Sequence, residues 1–351
     1  MTAEREPVGI MTTIPVEAVF AAGFRPVDLN NVFVSDPDPD ALVETALREG
    51  FPQNSCAWLK GIFGAVARHG AMPRVIGVVR GDCSGTELLL ELFEARGIEV
   101  ISFAYPYPPS RRDMEREISR LCERLGTTLE EAEAWRRRLA GARQRVARVD
   151  RECWEGNRVR GAEAHLWLVS SSDFQGDAAA FASGIDSFLE SVEARDRIDR
   201  RKGMPYGREV RLGYLGVPPI TPGVFDLAES LGARFVFHEV QRQYSMPPDA
   251  APDEDGLTSP AGDLVQQYLD YTYPYTAAQR ARDINLQAET RGLDGVVHYV
   301  QSFCHRNLED VVFRRLIRVP MLTVECDCPG TLGATARSRL ENFVQVLGEN
   351  Q

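Results

Sequence analysis

Little in this chain points to nucleotides, nucleic acid or membrane. Its 351 residues contain no G-x-x-x-x-G-K-[ST] loop, no G-x-G-x-x-G turn and no Ser-His-Asp signature, so nucleotide binding by the chain itself is unsupported. CxxC pairs are absent as well. No stretch approaches the ~18 to 20 apolar residues of a membrane span, and residues 1–25 lack the basic start and apolar core of a secretory leader. A cytoplasmic protein is therefore expected. Basic charge is in short supply: 40 Lys and Arg against 51 Asp and Glu leave a formal charge of -11, which argues against nucleic acid or an anionic bilayer as main partner. Seven cysteines, an odd number, read as reduced thiols or metal ligands rather than a disulfide framework.

What the chain does have is length and apolar periodicity. At 351 residues with 44% hydrophobic content it exceeds one ordinary core, and two α/β domains with a helical connector are expected. Strands are predicted at 26–29, 74–80, 99–104, 209–216, 234–239, 295–301 and 321–325. Helices are predicted at 40–49, 57–69, 86–96, 159–170, 177–194, 223–231, 307–317 and 334–347, with helical stretches over 110–150 and 263–291. In the first of these stretches Met114, Ile118, Leu121, Cys122 and Leu125 make one apolar stripe. This gives an N-terminal α/β domain at 1–109, a helical connector at 110–205 and a C-terminal α/β domain at 206–351. The expected fold is two Rossmann-like, flavodoxin-like parallel-sheet domains.

Three cysteines stand apart from the rest. Cys56 opens the amphipathic run 57–69, whereas Cys83 and Cys304 each follow a strand and precede a helix. Such turns line the crevice beyond the carboxyl ends of parallel strands, where ligands bind, and the helix dipole there is expected to lower a thiol pKa. Free cysteine is also a common small core residue, so a shared metal site and plain burial both stay open. Cys122, on the apolar stripe, reads as core, and Cys153 is undecided. Cys326 and Cys328 follow a strand and point to the same side, as extra ligands or a redox pair. Further candidates are His305 and His298 near the predicted crevice, Glu325 and Asp327 as acid or base, Arg242 beside Gln241 and Gln243 for an anionic group, Gln301 at a strand end for substrate, and Tyr273 and Tyr275. Each has a bland counterpart as a structural or solvated residue.

In order and context the chain resembles the 2-hydroxyacyl-CoA dehydratase and benzoyl-CoA reductase family, specifically subunits similar to the 2-hydroxyglutaryl-CoA dehydratase D-component. The residues that carry the resemblance are Ile14 to Glu17 with Ala21 to Val27, the Cys56 helix, Gly81-Asp82-Cys83, Asp294 to Cys304, Val319 to Asp327 and Arg337 to Phe343. The resemblance implies a [4Fe-4S] cluster held by Cys56, Cys83 and Cys304 in a crevice between the two domains. One iron would be left open to water, sulfide or substrate. It also implies an acyl-CoA thioester substrate, an ATP-hydrolysing activator that carries its own cluster, and a related subunit in a homodimer or heterodimer. A different member type that resembles the family holds a double-cubane [8Fe-9S] cluster through more cysteines. Besides an enzyme subunit, an electron-transfer protein serving another reductase and a plain α/β binding protein remain as readings of the residues.

Overall fold

A computed structural model describes residues 5–69, 72–201, 204–221, 223–245, 262–326 and 329–349. In chain order its elements begin β1 (Pro7–Ile10), α1 (Val16–Ala21), β2 (Arg25–Asp28), α2 (Leu29–Ser35), α3 (Pro39–Arg48), α4 (Ala57–His69), β3 (Arg74–Arg80), α5 (Ser84–Glu94) and β4 (Glu99–Ala104). Next come α6 (Arg111–Leu125), α7 (Leu129–Trp154), α8 (Gly161–Val169), α9 (Ala178–Glu193), β5 (Val210–Gly216), α10 (Val224–Ser230), β6 (Ala233–His238) and α11 (Glu239–Tyr244). The chain finishes with α12 (Leu264–Leu269), α13 (Ala277–Arg291), β7 (Gly295–Gln301), α14 (Glu309–Leu316), β8 (Met321–Cys326) and α15 (Ala334–Glu349).

Two compact units divide these elements. One comprises 1–145, 170–184 and 244–275, and the other 146–169, 185–243 and 276–351. The stretch 110–205 is shared out between them.

Each unit is built on a four-stranded sheet, in the order β2-β1-β3-β4 in the first and β6-β5-β7-β8 in the second, with every pair parallel. Both orders run second, first, third, fourth, so the fold is a pair of doubly wound α/β units, each with its switch point between its first and third strands. The strands of the second sheet show why a parallel sheet forms here. In β5, β6 and β7 every residue is buried, as required when helices cover both faces, and their sequences are accordingly near-continuous apolar runs.

Helix ends follow from local chemistry. Ser110 caps α6 by accepting from the Asp113 amide, and Gly126, at φ 79, closes it in the left-handed conformation that suits glycine. The stripe Met114, Ile118, Leu121, Cys122 and Leu125 is wholly buried. In α13, Thr276 and Gly292 serve the same two functions. The first strand of the chain, Pro7–Ile10, and the helices α1 and α2 were not among the sequence expectations; β1 is only four residues long.

Each unit has its own core. Ile62, Phe63, Leu89, Leu90 and Phe93 pack α4 and α5 over Val75 of β3 in the first unit. Leu212, Tyr214, Val297, Tyr299, Leu340 and Val344 lie at the centre of the second. Buried arginines pair with carboxylates: Arg143 with Glu17 in the first unit, and Arg234 with Glu209, Arg280 with Glu239 and Arg291 with Asp150 in the second. A planar guanidinium can meet a carboxylate with two hydrogen bonds, which offsets desolvation better than a single ammonium contact. Among the described residues no helix is long and apolar enough to cross a membrane.

Candidate functional site

The third strand of each sheet ends in a tight turn, and each turn delivers a cysteine. After β3, Gly81 takes φ 98, and a Cβ there would lie 2.8 Å from Pro274 Cβ and 3.0 Å from Tyr105 Cβ, so glycine is needed both for conformation and for space. Two residues on, Cys83 caps α5 with φ -86 and ψ 154. After β7, Phe303 takes φ 62, an unusual conformation for a bulky side chain, and it is 64% exposed. Cys304 follows with φ -86 and ψ 130 and opens the short 3-10 turn His305–Leu308 that leads into α14. Both thiols are half-buried. The two cysteines thus occupy the same place in the same topology with nearly the same backbone conformation.

Cys56 holds a third helix start. Its carbonyl accepts the Lys60 amide at 3.3 Å, which begins α4, and the preceding loop is tied back by Ser55 Oγ donating to Pro52 O at 2.7 Å and Lys60 Nζ donating to Gln53 O at 3.0 Å. Leu59, in the first turn of α4, lies 2.4 Å from where a Gly85 Cβ would stand, and Cys83 Sγ lies 3.4 Å from that same point. The first unit therefore sets the starts of α4 and α5 side by side, each headed by a cysteine. Glycine at 85 is what permits the approach.

The Cys83 thiol does not have the lowered pKa expected at a helix start. Burial pushes it up, the neighbouring Asp82 carboxylate adds to that, and the Thr86 hydroxyl with the Thr86 and Gly85 amides offsets only part. Thr86 Oγ1 stands 3.8 Å from Cys83 Sγ and donates to Asp82 Oδ2 at 3.3 Å.

Around Cys304 the frame is ionic. Arg306 pairs with Glu309 at 2.8 Å, Glu309 also receives Arg280, and Arg280 grips Glu239 with two hydrogen bonds of 2.6 and 2.8 Å. Glu239 in turn accepts the Gly216 amide at the end of β5. Burial would raise the Glu239 pKa, but Arg280 holds the carboxyl below its usual range. Asp310 beside it accepts from Thr323 of β8 and meets His298 Nδ1 at 2.5 Å. The start of α14 is thereby pinned to β5, β7, β8 and α13.

The other sequence candidates fall as follows. Cys122 and Cys153 are deep core residues whose thiols burial pushes up to about 12. Cys326 ends β8 and is buried beside Tyr299, whereas Asp327 and Cys328 lie outside the described residues. Glu325 is exposed and accepts from Ser302, and His305 is exposed in the turn after Cys304. Arg242 is buried, with its guanidinium held by both oxygens of Asp283 at 3.0 and 2.8 Å. Gln301 is buried and donates to Tyr299 Oη at 3.3 Å. Tyr273 and Tyr275 are buried in the first unit, where Tyr275 packs edge-on against Tyr105. Lys60, Arg280 and Glu239 were missed as site residues by sequence reasoning, and only Lys60, four residues beyond Cys56, carried a local signal.

Among the described residues no group of three or more His, Cys, Asp or Glu side chains is assembled for a metal ion. The donor chemistry nevertheless fits a thiolate-ligated centre, because the three cysteines at helix starts are half-buried while Cys122, Cys153 and Cys326 are buried. Fold and thiols together define an α/β protein of two doubly wound parallel-sheet units, each with a half-buried cysteine beyond the carboxyl end of its third strand. The chain belongs to the family of the 2-hydroxyglutaryl-CoA dehydratase D-component, whose family model matches residues 11–347. No curated protein matches it.

Proposed function

We propose that the chain is the iron–sulfur subunit of a 2-hydroxyacyl-CoA dehydratase, with Cys56, Cys83 and Cys304 as thiolate ligands of a [4Fe-4S] cluster. The observation that carries this reading is the recurrence of a half-buried cysteine, in one backbone conformation, after the third strand of both sheets of a dehydratase-family chain. When bound, such a cluster would supply a single low-potential electron to the acyl-CoA thioester; the ketyl so formed expels the α-hydroxyl, the β-proton then becomes acidic enough to leave, and the electron is returned at the end.

The chain's own residues prepare for this. Burial and the neighbouring Asp82 carboxylate raise the Cys83 pKa, so ligation through its thiolate would release a proton. The Arg306–Glu309–Arg280–Glu239 chain holds the Cys304 turn in place. His305 and Glu325, both exposed, are together with Asp327 the candidates for moving the substrate proton. A related subunit and an ATP-hydrolysing activator complete the assembly in this reading.

Anaerobic purification with iron and sulfide quantitation and EPR tests it. Cys56→Ala, Cys83→Ala and Cys304→Ala should each lose most of the bound iron, whereas Cys122→Ala should keep it. Full iron in any of the first three removes that residue from the ligand set. Adding 2-hydroxyacyl-CoA to the reduced protein, with partner and activator present, should shift the EPR signal. An unmoved signal in a protein that still passes electrons would instead make it a carrier.

A further inference from the structure

The chain has two lysines, Lys60 and Lys202, against 38 arginines. Where it buries a cation elsewhere it uses arginine against a carboxylate, as at Arg143 with Glu17 and Arg291 with Asp150. Lys60 breaks both habits. It is only 6% exposed, and among the described residues no carboxylate lies within ion-pair distance of its ammonium, whose one hydrogen bond goes to the neutral Gln53 carbonyl at 3.0 Å. Burying an ammonium without a counter-charge is costly, and such a group is retained where an anion comes to meet it.

The position says which anion. Lys60 lies four residues after Cys56, one turn up the same face of α4. Long helical side chains lean toward the helix N-terminus, and the reach of Nζ to Gln53 O, three residues before Cys56, places the ammonium over the Cys56 end of the helix. A three-thiolate iron–sulfur centre is anionic and gains a further negative charge on reduction.

We propose that Lys60 is the built-in counter-charge of the thiolate centre at Cys56 and favours its one-electron-reduced state. The assignment rests on the iron–sulfur reading above and adds an electrostatic positioning residue to it. Coulomb attraction to the extra electron is stronger in a partly buried site than in water, so the effect appears in the reduction potential rather than in ligand number.

Lys60→Met keeps the stem and removes the charge, and Lys60→Arg keeps the charge. In an EPR-monitored redox titration of anaerobically purified protein, Lys60→Met should disfavour the reduced state about tenfold, a midpoint about 59 mV more negative for one electron. Lys60→Arg should stay near the natural value. Unchanged potential in an iron-replete Lys60→Met protein overturns the proposal, as does loss of iron in both variants, which would make Lys60 a loop clip. A second measurement needs no iron. In the metal-free protein Lys60→Met should unfold at higher urea than the natural chain, because an uncompensated charge has been removed. Lower stability there overturns the counter-charge assignment while leaving the iron–sulfur reading to stand on its own iron analysis. A natural chain without iron sinks both.

Discussion

Arg280 has no exposed surface, and its guanidinium serves Glu239 and Glu309 together. Removing it leaves a fully buried carboxylate uncompensated, so Arg280→Met should cost about 3–5 kcal/mol in urea unfolding. Arg280→Lys should recover little of that, since one ammonium cannot reproduce the two-point grip on Glu239. Recovery to within a fraction of a kcal/mol would show that charge alone matters there. Residues of this kind were invisible in the sequence because their partners are far along the chain: Glu239 and Glu309 lie 41 and 29 residues from Arg280. Cys56, Cys83 and Cys304 were noticed because each abuts a change from strand or loop to helix, a signal confined to a few neighbouring residues. The direction of the Cys83 shift was not foreseen, since the helix start is a local feature whereas burial and the set of Asp82 are tertiary ones. Nothing in Ser302-Phe303-Cys304 announces that the phenylalanine adopts a positive φ.

Helix α4 carries a seam of small residues on the face that meets α2 and α3. A Cβ on Gly64 would stand 2.1 Å from the Leu42 carbonyl oxygen, and one on Gly61 would stand 2.4 Å from the Phe33 ring. The first obstacle is backbone and the second a side chain that can turn. Gly64→Ala should therefore cost roughly 1–3 kcal/mol by overpacking, and Gly61→Ala less, with urea midpoints to compare them. The reverse order would mean that α3 yields more readily than Phe33. At this scale the sequence was most readable where buried residues run together, as in 75–78 and 295–301, whose apolar runs end at glycine or polar residues. It was least readable in β1, whose four residues include proline and glycine and hold their place by pairing with β2 and β3. The single helical stretch expected over 110–150 became two helices because Gly126 turns left-handed and Thr128 and Glu131 start a new one by reciprocal hydrogen bonds.

For the molecule as a whole, acid sensitivity has an identifiable source in the second unit. His165 and His238 meet through their Nδ1 atoms at 3.2 Å in an apolar pocket with Tyr214 and Phe225. Burial, with some help from Arg291, lowers His238 to about 3, and burial with His238 takes His165 well below its ordinary value. Once unfolded, both take up protons near pH 6.5. The folded chain refuses those protons, so the stability present above pH 6.5 is lost progressively as pH falls toward 3, by up to about 1.4 kcal/mol per pH unit for each such histidine. Urea midpoints from pH 7 to pH 4 should fall less steeply in a His165→Phe, His238→Phe double variant, and equal slopes would clear the pair of any part in acid unfolding. Two α/β domains were evident from length and alternation of elements, but their shared strand order was not, because the two halves reach one topology with unlike residues. That order also sets a sequence of events during folding. Arg74 pairs with Glu99 and Val296 with Met321, a separation of 25 residues in both sheets, whereas Leu212 must find Gly295 across 83. Closing the longer loop costs about 1 kcal/mol more in chain entropy, so the parallel pairs β3 with β4, β7 with β8 and β5 with β6, the last joining Val210 to Ala233 across 23 residues, are expected to form before β5 meets β7. The late event is the meeting of β5 with β7, and the ionic chain from Glu239 through Arg280 to Glu309, which joins the two strand pairs, waits on it, so the Cys304 turn is expected to be among the last parts to become ordered.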